Sequence, residues 1–235
     1  MAAKQNHEEP GGAPLTARDR RKEQRLVASI CRHQAGLKES ALALFELYAG
    51  RHHDAKAREI GTFVISAPPD PAERATVCLG LGLRMERARR YELAAWAYET
   101  GIAYEPTDPD VWYWLNNNLA FSLNQFGAHV AAEPYCRAAL RADARRHNAY
   151  KNLGVALQGQ GQYADAARAY ITAVSRAPGD TRSMHHLGQL VEAHRNDIAA
   201  SVPEAIAMVE QYAKSIEDHG GTTARPTPPG TDDGG

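Results

Sequence analysis

The stretch Gly154–Tyr170, "GVALQGQGQYADAARAY", is the first candidate for chemistry, because "GQGQ" has the look of a loop that cradles phosphate. Such a loop needs a strand before it and a Gly-Lys-Ser/Thr ending, and neither is present. "GLGL" at 80–83 is accounted for by close helix packing instead. His52-His53 and His185-His186 are adjacent pairs. Neighbours on a helix point about 100° apart, poor geometry for a shared metal, and no HExxH or third ligand accompanies either pair. Cys31, Cys78 and Cys136 are odd in number and lack CxxC spacing, so neither a disulfide framework nor a zinc site is expected. No paired acid and base, metal set or nucleophile triad is visible. The expectation is a chain without catalysis, cofactor or metal.

The totals narrow the class. Apolar residues make up 43% of the 235, enough for a sizeable core in one or two domains. A formal charge of −1 argues against non-specific capture of nucleic acid or acidic lipid by the whole protein, so neither is expected as a partner. "MAAKQNHEEPGGAP" contains no apolar signal-peptide segment. The longest apolar run, Val77–Leu83, is far short of the ~20 residues a membrane helix needs. A soluble, cytoplasmic protein in a reducing compartment is expected. Residues 1–14 and 220–235, rich in Gly, Pro, Thr and charge, are expected to be disordered tails. "RDRRKEQR" at 18–25 mixes both signs and reads as a solvated helix; "RADARRH" at 141–147 reads as a solvated loop.

Between the tails the pattern is helical almost throughout. "GTFVIS" at 61–66 is the best strand candidate, yet it continues a helical stretch from Asp54 and ends at Pro68-Pro69, which suits a helix stop. Sliding the chain by 34 exposes a repeat. Leu119-Ala120 falls on Leu153-Gly154 and then on Leu187-Gly188. Ala132 falls on Ala166, Cys136 on Tyr170, and Ala139-Leu140 on Ala173-Val174. Allowing four extra residues at 109–112 carries the series back to Leu81-Gly82, Ala94, Tyr98 and Pro106.

This beat resembles the tetratricopeptide repeat, a 34-residue helix–turn–helix. With each unit numbered 1 to 34, the family asks for a large residue at 7, a small one at 8, a large one at 11, Ala at 20, an aromatic at 24, Ala at 27 and Pro at 32. Unit 147–180 supplies Leu153, Gly154, Leu157, Ala166, Tyr170, Ala173 and Pro178. Unit 75–108 departs only in Met85 and Gly101. Unit 113–146 has Cys136 at 24, Ala144 at 32, and a Pro134 that its second helix tolerates only if it begins late. Residues 38–71 give Leu44, Tyr48, Ala57, Val64 and Pro69 at the right spacing, but Phe45 is too large for position 8. Residues 181–219 open with Leu187-Gly188 and need a longer turn before a second helix, with Ser201 and Glu204 as a capping box. The resemblance covers about 140 residues, or about 180 with the outer units. It implies an all-α, right-handed solenoid: a leading helix and degenerate hairpin at 15–74, three repeats at 75–108, 113–146 and 147–180, and a capping hairpin at 181–219. Gly159 and Gly161 then lie in the turn between the paired helices, where they relieve backbone strain. Cys78 and Cys136 occupy core positions as small hydrophobes.

On each first helix, positions 4, 7, 8 and 11 form the buried stripe. Residues two steps away lie about 200° round the helix, so positions 2, 5, 6 and 9 are expected to face a concave groove. Unit 75–108 contributes Leu83 beside Thr76, Leu79 and Gly80. Unit 113–146 contributes Trp114, Asn117, Asn118 and Phe121. Unit 147–180 contributes Asn148, Lys151, Asn152 and Val155. The last unit contributes Arg182, His185, His186 and Gln189. Asn118, Asn152 and His186 recur at position 6, a ladder suited to gripping the backbone of an extended peptide. Lys151, Arg182 and the histidines add positive character at one end. Some family members clamp an acidic chaperone tail with Lys at 5 and Asn at 9, then Asn at 6, then Lys at 2 and Arg at 6. Here Asn117 and Phe121 replace the first pair and His186 the last Arg, so that ligand is not implied. The resemblance implies an interaction module, an adaptor, scaffold or assembly factor, that docks a protein or peptide segment as a monomer or weak homo-oligomer. The alternatives are self-association through the groove or leading helix, and a regulatory subunit of an enzyme.

Overall fold

The computed structural model describes residues 13–32 and 37–218, and among them every regular element is a helix. The expectations for the tails fall outside the described residues, apart from Ala13 and Pro14, as does the side chain of Cys31. The order is α1 (Ala17–Arg32), α2 (Leu37–Gly50), α3 (Asp54–Ser66), α4 (Pro71–Arg87), α5 (Tyr91–Ile102), α6 (Pro109–Gln125), α7 (His129–Ala142), α8 (His147–Gly159), α9 (Tyr163–Arg176), α10 (Thr181–Ala199) and α11 (Pro203–Asp218). Each helix packs on the next in the chain, and α6 also packs on both α4 and α8. This gives a leading helix and five stacked hairpins. "GTFVIS" is the end of α3, not a strand. Among the described residues no helix is long and apolar enough to cross a membrane.

The sequence punctuates these helices by two devices. Asp70, Asp108 and Asp180 start α4, α6 and α10: each side chain accepts a backbone N–H of the first turn, at 3.0, 2.8 and 3.0 Å. Pro71 and Pro109 follow two of them, pre-set for a first helical position. The second device is a left-handed residue two places before the second helix of each of the first four hairpins. His52 (φ 60°), Arg89 (φ 55°), Gly127 (φ 80°) and Gly161 (φ 75°) all stand at position 15 of their units. Glycine adopts that conformation freely; His52 and Arg89 hold it at a cost of about 1–2 kcal/mol each. The backbone need therefore lies at Gly161. Gly159 does a different job, since a Cβ there would fall 2.1 Å from the His129 ring.

Two local expectations change and a third gains a shape. The four extra residues 109–112 add a first turn to α6. Helix α7 does not begin late: Pro134 lies inside it, and the Val130 carbonyl loses its usual N–H. Both residues are exposed, so the break in the ladder lies at the surface. Helix α11 opens at Pro203, which puts Val202 rather than Ser201 in the capping place, and the Ser201 carbonyl accepts from Arg168 instead.

Size exchange across each hairpin decides how closely its helices approach. A Cβ on Gly82 would lie 2.1 Å from the Tyr98 ring, and one on Gly154 would lie 2.4 Å from Tyr170. The middle unit uses intermediate sizes, Ala120 and Cys136, both fully buried. In the first hairpin, α2 and α3, the sizes are inverted. Phe45 at position 8 is fully buried, and position 24 is Gly61, whose Cβ would lie 3.2 Å from that ring and 2.7 Å from Trp96. Gly188 at position 8 of the last hairpin has open space instead of a ring. There α10 kinks at His194 (φ −133°, ψ 31°), whose ring stacks on Tyr163 at 3.5 Å. Gly154→Ala is expected to lower stability by about 1–3 kcal/mol through overpacking. Gly188→Ala is expected to raise it by about 0.5–1 kcal/mol through helix propensity alone. Urea unfolding of the two variants checks the contrast.

Candidate groove on the first helices

Because α4, α6 and α8 lie side by side, Asn117, Asn118 and Asn152 at positions 5 and 6 meet a neighbouring helix as well as their own hairpin. A 200° offset within one hairpin does not leave these side chains open once hairpins stack. Asn117, Asn118 and Asn152 are 4%, 8% and 4% exposed, so they do not stand open as a ladder for a ligand backbone. Their amides serve one another. Asn152 Nδ2 donates to Asn117 Oδ1 at 3.0 Å and to the Asn117 carbonyl at 3.2 Å. Asn117 Nδ2 donates to Asn118 Oδ1 at 2.9 Å. Asn124 Nδ2 donates back across the helices to the Asn152 carbonyl at 2.9 Å, and Asn124 Oδ1 meets His129 Nδ1 at 3.1 Å. An amide oxygen can only accept, so His129 carries its proton on Nδ1. Asn124 and His129 were not expected at the site. Their signal was the run Asn116-Asn117-Asn118 inside an apolar helix, where asparagine is unfavourable unless its amide is hydrogen-bonded.

The same row continues to α4. Ser122 Oγ donates to Glu86 at 3.2 Å, and the buried Tyr98 hydroxyl is turned toward Glu86 and Asn118 without a well-formed bond to either. Burial pushes the Glu86 carboxyl up from 4.5 to about 7, against the opposing pull of Tyr98, Ser122 and Arg87.

What remains at the surface of this floor is a different set. Leu83, Phe121 and Val155 are half-buried at position 9 of three successive units, and Gln189 is exposed at the fourth. Phe121 is held edge-on by Tyr91, with ring centroids 6.0 Å apart. Trp114 packs edge-on against Tyr113 at 5.1 Å, with the Arg146 guanidinium over both rings. Asn148, Lys151 and Arg182 are half-buried and His185 is exposed. Arg182 grips Asp180 at 2.8 and 2.9 Å. Burial raises the Asp180 carboxyl, but donation from Arg182 and the charges of Arg182 and Lys151 outweigh it and hold the group ionised. His186 does not add positive charge. It stacks on Tyr170 with centroids 5.5 Å apart, and burial, helped by Lys151, His185 and Arg182, lowers it to about 4. His129, Val155, Gln158, Gly159, Tyr170 and His186 line a cleft of about 230 Å³ between α8 and α10.

The other chemistry-bearing residues are engaged in structure. Cys78 and Cys136 are fully buried, and burial pushes the Cys78 thiol up to about 12. His52 is an exposed turn residue, while His53 packs edge-on against Tyr48. The His185 and His186 rings are 6.3 Å apart. Among the described residues no three of His, Cys, Asp and Glu gather as metal ligands.

Stacked antiparallel hairpins, locked by opposed sizes at positions 8 and 24 and turned through a left-handed residue at 15, define a tetratricopeptide-type solenoid. No protein-family model and no curated sequence matches the chain. Solved structures do. The MamA fragment 41-end from Desulfovibrio magneticus RS-1 is 18% identical with a TM-score of 0.50, over 86% of this chain and 98% of that one. The Hsp90 co-chaperone Cns1 from Saccharomyces cerevisiae is 19% identical with a TM-score of 0.52, over 65% of this chain and 46% of that one. BtubC from P. vanneervenii is 16% identical with a TM-score of 0.52, over 90% and 94%. At these identities the likeness is one of fold.

The raised Glu86 carboxyl has a consequence for stability. Its folded-state pKa lies above the unfolded value, so the folded chain binds the extra proton between about pH 4.5 and 7. Stability falls as pH rises through that window, by about 1–3 kcal/mol. Glu86→Gln is expected to flatten this slope, measured as the urea midpoint at acidic and at neutral pH.

Proposed function

We propose that this chain is a non-catalytic protein–protein interaction module that holds an extended segment of a partner across α4, α6, α8 and α10. One observation carries the reading: Leu83, Phe121 and Val155 stay half-exposed at one repeat position on three neighbouring helices, above a floor whose amides are spent on each other. The floor gives rigidity and the apolar row gives contact area. Packed helices lie about 8–10 Å apart, and an extended chain advances about 3.3 Å per residue. Every third residue of the partner therefore meets the next helix, which predicts apolar side chains at i, i+3 and i+6. The cleft between His129, Gln158 and His186, where burial keeps the His186 ring uncharged, suits an uncharged polar side chain beyond them. Lys151 and Arg182, two cations beside the one Asp180 carboxylate, favour an acidic residue toward α10. In this role the chain acts as an adaptor, scaffold or assembly factor.

Asn118 and Asn152 are poor probes of this idea, since removing either opens a buried network. Leu83 and Phe121 are better. Random linear peptides displayed on phage and selected on the full chain are expected to converge on the three-residue apolar spacing. The selected peptides are expected to bind Leu83→Glu/Phe121→Ala at least about tenfold more weakly, a change of about 1.4 kcal/mol. Equal binding to both proteins, with helicity retained, contradicts the groove.

A further inference from the structure

The two ends of the solenoid expose opposite chemistry. Helix α1 carries six cationic and two anionic residues, and the fold sorts them. Asp19 accepts from the Thr16 hydroxyl at 2.7 Å and pairs with Arg51 at 2.6 Å, and Glu23 accepts from the Tyr48 hydroxyl. With both anions turned inward, the exposed face holds Arg18, Arg20, Arg21, Lys22 and Arg25, and beside them Val27 is 44% exposed. The mixed run expected to be merely solvated is a cationic surface.

Helix α11 has four anionic residues and one lysine. Glu210 is taken by Arg195 at 2.6 Å, while Glu217 and Asp218 close the helix with no basic residue in its last turn. From 210 to 218 every side chain is exposed, including Tyr212 at 37% and Ile216 at 43%. Among the described residues α11 ends the stack, so no further helix covers this half, and at Gly188 its hairpin lacks the ring lock seen at Gly82 and Gly154. Cations in the first turns of α1 and anions in the last turn of α11 both oppose the helix dipole, and each end supplies what the other lacks.

We infer that copies of this chain associate head to tail, the cationic face of α1 on one copy meeting the anionic, apolar C-terminal half of α11 on the next. Charge complementarity selects this occupant. A polyanion such as nucleic acid or an anionic membrane answers only the α1 face and leaves Tyr212 and Ile216 bare, whereas a second copy answers both ends at once. The contact is heterologous, so it propagates into an open chain unless the rotation closes a ring. Its exposed charges are screened by salt.

Light scattering of the full chain over a concentration series tests it. At low salt the mass is expected to rise above the 25.6 kDa protomer with concentration, and to return to it at high salt. Arg21→Glu/Arg25→Glu and Glu217→Lys/Asp218→Lys, all at exposed positions, are each expected to be monomeric with unchanged helicity. An equimolar mixture of the two is expected to associate again, because each then offers the other a complementary end. A wild type that stays monomeric at low salt, a reversal at either end that leaves association intact, or a mixture that remains monomeric overturns the inference.

Discussion

The opposition of a small residue on the first helix to a large one on the second is the constraint on which the rest depends. Gly82 under Tyr98 and Gly154 under Tyr170 let two helix backbones approach until the ring touches the Cα of its partner. Ala120 with Cys136 splits the difference, and Phe45 with Gly61 inverts it. In these hairpins the smaller residue of the pair sits on either helix, so the pairing recurs while the identity of each residue varies. Interiors tolerate such exchanges when volume is kept. Helix separation in turn sets how closely successive hairpins stack, and stacking closes α6 between α4 and α8.

That closure converts asparagines that would line an open groove into a hydrogen-bonded seam. Asn117, Asn118, Asn124 and Asn152 each satisfy a buried polar group on a neighbour. A seam of this kind costs stability if one member is lost, because its partners stay buried without replacement. It also leaves the contact surface to the position-9 side chains, which makes the groove more apolar than a ladder of amides implies.

Much of the fold was legible in the sequence. Leu at 7, a small residue at 8, Ala at 20 and Tyr at 24 announce the hairpins, because they state both the helical period and the interhelix distance. Phe45 looked like a violation because its compensation, Gly61, sits on the other helix. The left-handed turn was legible where it is glycine, at Gly161, and hidden at His52 and Arg89, where tertiary packing overrides the local preference. At the site, Leu83 and Phe121 emerge half-buried on the face that periodicity indicated. The burial of Asn117, Asn118 and Asn152 was not legible, because an angle measured on one hairpin contains nothing about the next hairpin in the stack. The neutrality of His186 was hidden for the same reason: it follows from burial of a ring that stacks on Tyr170 of the preceding unit, and from the Lys151 charge beside it.

The asparagine seam also bears on how the array comes apart. In a repeat array, stability is a sum of unit terms and nearest-neighbour interface terms. The bonds that Asn152 gives to Asn117 and takes from Asn124 join the third and fourth hairpins at one interface and couple their opening. The first hairpin carries a strained turn at His52, and the last lacks a ring over Gly188. Both ends therefore fray before the middle, and backbone amides of 109–176 are the last to trade their protons with solvent.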